Sequence, residues 1–411
     1  MRTRTPSLLA SLAILLFVST LAAAQAGQLD PTFGQGGIVT ADFGDQINSN
    51  RAVAGAVTVQ QDGKILVCGG IPSSTGFPVA AIARYNTNGS LDTSFGTSGF
   101  AVTQNLGALS AITIQTDGKI VVVGPIDSIE INVARYSSSG TLDPTFGTGG
   151  IFNSGFIGGA GATQSAVVIQ PDGKILVADG VLLRLLADGQ LDTSFGASGI
   201  AKVVSSQAIA LALLPTSGKI LVASNLGFAS RYNPNGSLDT SFGIHGQVPV
   251  PSPANGLLLL GTGKFLVAGS LTSSLTGPVT GFAVARYQGF GATDTTFATH
   301  GGVVTPVPSF PTVATSGLGL EPSGDIVTLG MASTLAELQV FALARYAPTG
   351  QLDTTFGTNG TVTTSFATTS LTAPGLAVQS DGKILAVAGF TTTVPHGEFD
   401  TGFKIVRYLG Q

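Results

Sequence analysis

Histidine is scarce in this chain, and only His396 of the three (His245, His300, His396) stands among carboxylates, in VPHGEFD with Glu398 and Asp400. A second polar run near the other end, GIVTADFGDQINSNR, carries Asp42, Asp45 and Arg51. Imidazole and carboxylates together could hold a divalent cation or polarise a water. Oxygen ligation alone would favour calcium, and participation of His396 would favour a borderline metal. His-x-Glu-x-Asp is not a specific signature, and solvated loop polarity explains it with fewer assumptions. The candidate binding cluster is therefore Asp42, Asp45, Arg51, His396, Glu398 and Asp400, with no metal or other cofactor assigned and a divalent cation as the one to test. NTNGSLD at Asn86 and NPNGSLD at Asn233 resemble calcium loops, but Asx turns account for them more simply. There is no GxSxG, HExxH or Walker-type word, and GGAGAT at Gly158 does not precede a helix.

Other polar residues recur too regularly for catalysis. Arg84, Arg135, Arg184, Arg231, Arg286, Arg345 and Arg407 each stand in an ARY-like word. Asp30, Asp92, Asp143, Asp192, Asp239, Asp294 and Asp353 each stand in an LDxTFG-like word. A catalytic group is rarely needed seven times. The expected role is structural, with planar guanidinium donors bridging loop carbonyls or pairing with the aspartates. The phenylalanines of the same words, from Phe33 to Phe356, are expected to plug seams between repeats.

The elements that position these residues follow from the repeat. The LDxTFG-like words start at residues 29, 91, 142, 191, 238, 293 and 352, and each of the first six arginines precedes the next word by seven residues. A third word reads DGKI at Asp62, Asp117, Asp172 and Asp381, with variants SGKI, TGKF and SGDI at Ser217, Thr262 and Ser323. Around each copy the order is strand, DG turn, strand, loop, ARY strand, turn-rich connection, strand. Four short strands repeated seven times predict an all-β fold, a seven-bladed β-propeller with four-stranded blades. The phase of the ends predicts how the ring closes. GIVTADF is a fourth strand without its preceding three, and FKIVRY is a third strand without a fourth. Pairing them completes one blade and removes two free edges.

The words KILVxG, ARY and xxxGxLDxTFGxxG, in that order over nearly all of the chain after the leader, resemble the delta-60 repeat family of bacterial proteins. That resemblance implies a repeat of exported or surface proteins, often in tandem arrays. It implies no catalytic signature and transfers no active-site residue. TDTTFA at Thr293 and LRL around Arg184 depart from the pattern.

Residues 1–26 read as a secretory signal peptide. Arg2 and Arg4 precede an apolar stretch, and Ala22-x-Ala24 and Ala24-x-Ala26 offer cleavage sites. Residues 27–411 then form a single propeller domain, exported to the periplasm, cell surface or medium, with no integral membrane contact. Cys68 is the only cysteine, so no internal disulfide is expected, and its apolar setting suits a buried filler. The net charge of -4 leaves no basic face for nucleic acid. The distance from the DGK lysine, or its equivalent, to the ARY arginine is 20, 16, 10, 12, 22, 20 and 24 residues from the first full repeat to the last. The longest second-to-third-strand loops are thus expected on four contiguous blades, as a wall on one face. The expected function is a non-catalytic scaffold that binds a protein, a surface polymer or a small ligand. A secreted hydrolase or lyase is the alternative.

Overall fold

The computed structural model describes residues 25–46, 52–73, 78–104, 106–126, 130–157, 165–204, 208–272, 279–334, 338–368, 370–372, 375–393 and 399–410. Every regular element among them is a β-strand, and the strands form seven antiparallel sheets. Each sheet is one blade of a ring. Blade 1 runs from its inner strand outward as Val53–Val59, Ile65–Ile71, Val79–Tyr85 and Phe100–Thr103. Blade 2 is Ala111–Ile114, Ile120–Ile126, Glu130–Tyr136 and Ile151–Ile157. Blade 3 is Ala166–Ile169, Ile175–Asp179, Val181–Leu185 and Ile200–Ala201. Blade 4 is Ala208–Leu213, Ile220–Ser224, Phe228–Tyr232 and Gln247–Pro249. Blade 5 is Gly256–Leu259, Phe265–Thr272, Val279–Tyr287 and Gly302–Thr305, and blade 6 is Thr312–Leu320, Ile326–Ser333, Gln339–Tyr346 and Thr361–Ser365.

Blade 7 joins the two ends of the chain, as the phase of the repeats requires. Gly375–Val378 and the short Ser370–Leu371 both pair with Ile384–Thr393, which pairs with Phe399–Tyr408, which pairs with Ile38–Gln46. Ile38 lies opposite Val406 and Asp42 opposite Gly402. Beyond the strand, the Asp30 amide donates to the Arg407 carbonyl at 2.9 Å, and the Arg407 amide to Gly37 at 2.9 Å.

The core lies in the seams between blades. On the second strand of blade 1, Ile65 and Val67 pack with Leu385, Val387 and Phe403 of blade 7, whereas Leu66 and Cys68 pack with Ile120 and Val122 of blade 2. Both faces of a middle strand therefore meet a neighbour. This is why runs such as ILVCGG and AAIARY are apolar throughout rather than alternating, as a strand with one solvated face would be. Blades are also stitched by one repeated hydrogen bond. The Gly34, Gly96, Gly147, Gly196, Gly243 and Gly357 amides donate to Asn88, Ser139, Asp188, Asn235, Phe290 and Ala26, and the Ala298 amide to Thr349. The residue after each acceptor is glycine, whereas the donor position admits Ala298. Gly89 has φ +87°, and a Cβ there would lie 2.9 Å from the Gly34 nitrogen.

Two faces result. DGK turns and LDxTFG connections share one, the turn face. Hairpins between second and third strands share the other, the loop face. Those hairpin strands have five residues each in blades 3 and 4, seven in blades 1 and 2, and eight to ten in blades 5, 6 and 7. The loop face is therefore tallest over blades 5 to 7.

Candidate functional site

On the turn face each repeated arginine is held the same way. Arg135 donates through Nε to Asp143 Oδ2 at 2.8 Å and through Nη2 to Thr145 Oγ1 at 3.2 Å, while Nη1 donates to the Ala187 carbonyl of the next blade. Its guanidinium carbon lies 4.7 Å from the centre of the Phe146 ring. The same stacking joins Arg84 to Phe95, Arg184 to Phe195, Arg231 to Phe242, Arg286 to Phe297, Arg345 to Phe356 and Arg407 to Phe33. The partner aspartates are Asp92, Asp192, Asp239, Asp294, Asp353 and Asp30, at 2.7 to 2.8 Å. Each aspartate also accepts from the amide and hydroxyl of the serine or threonine two residues on, as Asp92 does from Ser94.

The repeats alone do not reveal a third member of this belt, the DGK lysine. Lys64, Lys119, Lys174, Lys219, Lys264 and Lys383 place Nζ 2.8, 3.0, 3.1, 2.7, 2.7 and 3.8 Å from Asp92, Asp143, Asp192, Asp239, Asp294 and Asp30. The Lys64 ammonium, then the Ser94 hydroxyl, hold the Asp92 carboxyl well below the usual carboxylate range.

Blade 6 breaks the pattern. Asp325 stands where the other blades have lysine, and among the described residues Asp353 forms an ion pair with Arg345 alone. The Asp353 side chain is 21% exposed, against 1 to 9% for its six counterparts. Four residues before Asp325, Glu321 replaces the glutamine of Gln60, Gln115, Gln170 and Gln379. Glu321 is 2% exposed. Its Oε2 lies 3.4 Å from Arg345 Nη1, and among the described residues its Oε1 has no hydrogen-bond partner. Burial pushes the Glu321 carboxyl up to about 7; Arg345 opposes the rise, and Asp325 and Asp353 add to it.

A pH dependence follows. The folded-state pKa of Glu321 lies above its ordinary value of 4.5. Its cost to stability is absent at low pH, where both states are protonated, grows as pH rises through 4.5, and is fully present above about 7. Glu321→Gln is therefore expected to stabilise the protein at pH 8 relative to its effect at pH 4, by roughly 1 to 3 kcal/mol. Urea unfolding of the variant and parent at both pH values measures this. Equal differences at the two pH values would mean that Glu321 ionises normally.

On the loop face the structure brings part of the candidate cluster together. Asp45 lies directly opposite Asp400 across the closing strand pair, with Asp42 beside a register irregularity. Lys404, on the same strand as Asp400, donates to Thr40 Oγ1 at 2.9 Å and lies 4.5 Å from the centre of the Phe390 ring. Burial lowers the Lys404 ammonium below its usual range, and Asp400 and Asp42 draw it back up. A cation of the chain thus already sits with these carboxylates. Arg51, His396 and Glu398 lie outside the described residues, and among those described no group of three or more histidine, cysteine or acidic residues is arranged to hold a metal.

A second polar group on this face was not legible in the sequence. Asp179 occupies a position where four blades have glycine (Gly69, Gly124, Gly269, Gly330), and its Oδ2 accepts from Ser165 Oγ at 2.9 Å. Ser165 in turn accepts from Ser110 Oγ at 2.7 Å. At Gly69 the reason for glycine is plain: a Cβ would lie 1.9 Å from the Val53 carbonyl oxygen. Burial pushes the Asp179 carboxyl up to about 6, against its bond from Ser165. Ser110 and Ser165, with Asn255 and Ser316, line a 260 Å³ cavity ringed by the inner strands. Cys68 is buried, and burial pushes its thiol up to about 12, so it has no reactive thiolate near neutrality.

The family comparison agrees with this architecture. Residues 60–95, 115–146, 170–195, 216–242 and 321–356 match a family described as a domain of unknown function (DUF5122) β-propeller. The chain is a β-propeller repeat protein. Among solved structures it is similar to the WD40 β-propeller domain of Doa1, at 12% identity and TM-score 0.48, covering 89% of this chain and 97% of that one. It is also similar to the C-terminal WD40 domain of Sif2, at 13% identity and TM-score 0.48, covering 86% and 81%. A chain of a mitotic checkpoint complex matches at 10% identity and TM-score 0.47, covering 98% of each. No curated protein matches by sequence.

Proposed function

We propose that this protein is an exported, non-catalytic propeller that presents its loop face to a partner, which is a protein, a cell-surface polymer or a small ligand. One observation carries the reading. The repeated charges are spent on the arginine–aspartate–lysine belt of the turn face, whereas the hairpins that differ most from blade to blade project from the opposite face. A rigid scaffold with variable loops on one side is the usual arrangement for recognition. Export rests on the leader. Cleavage after Ala24 would keep Gln25, whose Nε2 donates to the Thr355 and Gly357 carbonyls at 3.2 Å, and Ala26, which accepts the Gly357 amide at 2.9 Å.

The test is to replace residues 273–278 and 394–398 by short turns. Replacements of this kind, between the ends of paired strands, are expected to alter stability by less than about 1 kcal/mol. Retention of the secreted protein on isolated envelope polymers and proteins of its own cells should be lost. Retention that survives trimming of both loops would overturn the loop-face reading.

A further inference from the structure

The cavity enclosed by the inner strands is polar toward its loop-face end and apolar beneath. Five residues before the Gln60 position, toward that end, the six blades described there carry Gly55, Ser110, Ser165, Ile209, Asn255 and Ser316. One residue further along, every blade has alanine or glycine, from Ala56 to Gly375. The next level is apolar, with Val57, Leu211, Leu257, Leu318 and Leu376. Residues of all three levels line the same 260 Å³ cavity.

The serine hydroxyls at the polar level have a fixed polarity. Asp179 stands one hydrogen bond behind the lining. Ser165 gives its single hydroxyl hydrogen to Asp179 Oδ2 at 2.9 Å. It can therefore only accept from Ser110, at 2.7 Å, and the Val123 carbonyl is the longer alternative for that donor at 3.4 Å. What both hydroxyls still offer the cavity is lone pairs. Asn255 spends an amide hydrogen on the Thr315 carbonyl at 2.6 Å, which leaves its side-chain oxygen as a further acceptor.

The charge behind these acceptors is unbalanced. Asp179 is buried, its burial raises the carboxyl pKa, and only the Ser165 bond opposes that rise. Among the described residues no cation compensates it, while Lys174 and Arg184 of the same blade are committed to Asp192 on the opposite face. A carboxylate so placed is unfavourable until a positive charge comes near. A divalent metal would want carboxylates in direct contact, and this lining offers hydroxyls and an amide instead. Acceptors backed by one negative charge suit a cation that carries N–H donors, and the apolar level suits a short hydrocarbon chain.

We propose that the loop-face end of the central cavity binds a small primary ammonium ligand, which donates to the Ser110 and Ser165 oxygens, is balanced by Asp179 behind them and rests its hydrocarbon chain on the apolar level below. The site rests on the loop-face reading in that it gives this face a small ligand, but its residues belong to the inner strands and not to the hairpins.

The probe is n-butylammonium chloride at pH 8, where Asp179 is ionised, titrated into the full propeller while backbone amide resonances are followed. n-Butanol is the neutral control, and potassium chloride at equal ionic strength is the metal-cation control. Signals of Ala111, Ala166 and Gly256, each next to a polar-level residue, are expected to shift with butylammonium and with neither control. Asp179→Asn keeps an acceptor for Ser165 and removes the charge, and should weaken binding at least about tenfold. Should that variant fail to fold, Ser110→Ala, which removes the terminal acceptor, should weaken it at least about threefold. Trimming residues 273–278 and 394–398 should leave the response unchanged even where it abolishes envelope retention, so that failure of one reading is told from failure of the other. No shift at about 100 mM probe, near the weakest binding expected of a ligand of this size, would overturn the proposal. So would equal shifts with butanol or with potassium chloride, an undiminished response in Asp179→Asn or Ser110→Ala, or loss of the response on trimming the hairpins.

Discussion

Deletion of residues 27–42 is expected to destabilise the propeller by at least about 3 to 5 kcal/mol, or to prevent folding. The segment supplies most of the outer strand of blade 7, opposite Gly402 to Val406. It also supplies Phe33, which is fully buried in the seam with blade 1, and Asp30, whose Oδ2 accepts from Arg407 Nε at 2.8 Å. Without it Arg407 remains buried and loses its carboxylate, and Phe399–Tyr408 becomes a free edge open to pairing with other chains. Calorimetry of the deletion variant and the parent, with sedimentation to detect aggregation, measures both effects. An unchanged Tm in a monomeric variant would sink the closure scheme.

Arg135→Ala should cost about 2 to 5 kcal/mol in denaturant unfolding. Arg135 is 5% exposed, and its removal leaves Asp143, the Ala187 carbonyl and the face of Phe146 without their shared partner. Lys119→Ala is the matched control. Its side chain is 35% exposed, and it also pairs with Asp143, so its loss should cost only about 0 to 1 kcal/mol. Arg345→Ala should be costly as well, because no lysine backs it at Asp353 and Glu321 loses its only cationic contact among the described residues. Near-zero changes at both Arg135 and Arg345 would mean that the repeated arginines are available for ligands. The belt also has an acid limit. Asp92 is held below its ordinary pKa of 3.8, so its contribution is fully present above that value and is lost as pH falls through its lower folded-state pKa.

Much of the candidate chemistry could be placed on a map of the fold before any coordinates. Asp42 and Asp45 come at the end of, or just after, the lone fourth strand and Asp400 in the loop before the lone third strand, so closing the ring had to bring them into one blade; the structure extends both strands through these positions and sets Asp45 opposite Asp400. What that map lacked was depth. Glu321 and Asp179 each stand in an ordinary repeat position, and nothing in their spacing reveals that one is buried beside Arg345 and the other bonded to Ser165. The available signal was the single-blade departure: Glu for Gln, Asp for Lys, Asp for Gly.

The sequence by itself determined the number of blades, the order of strands within each and the blade where the chain closes. Those properties depend on periodicity and on local turn chemistry, such as the DG turns and the fixed interval from each arginine to the following LDxTFG-like word, and both are written residue by residue. Only the tertiary structure decided which charges meet. The lysine of one turn reaches an aspartate 18 to 30 residues further along in the first five blades, and in blade 7 it reaches Asp30 at the far end of the chain. Such contacts, and the desolvation that sets the ionisation of Glu321, depend on how a neighbouring blade covers a side chain. That covering is a property of packing between repeats, which no single repeat encodes.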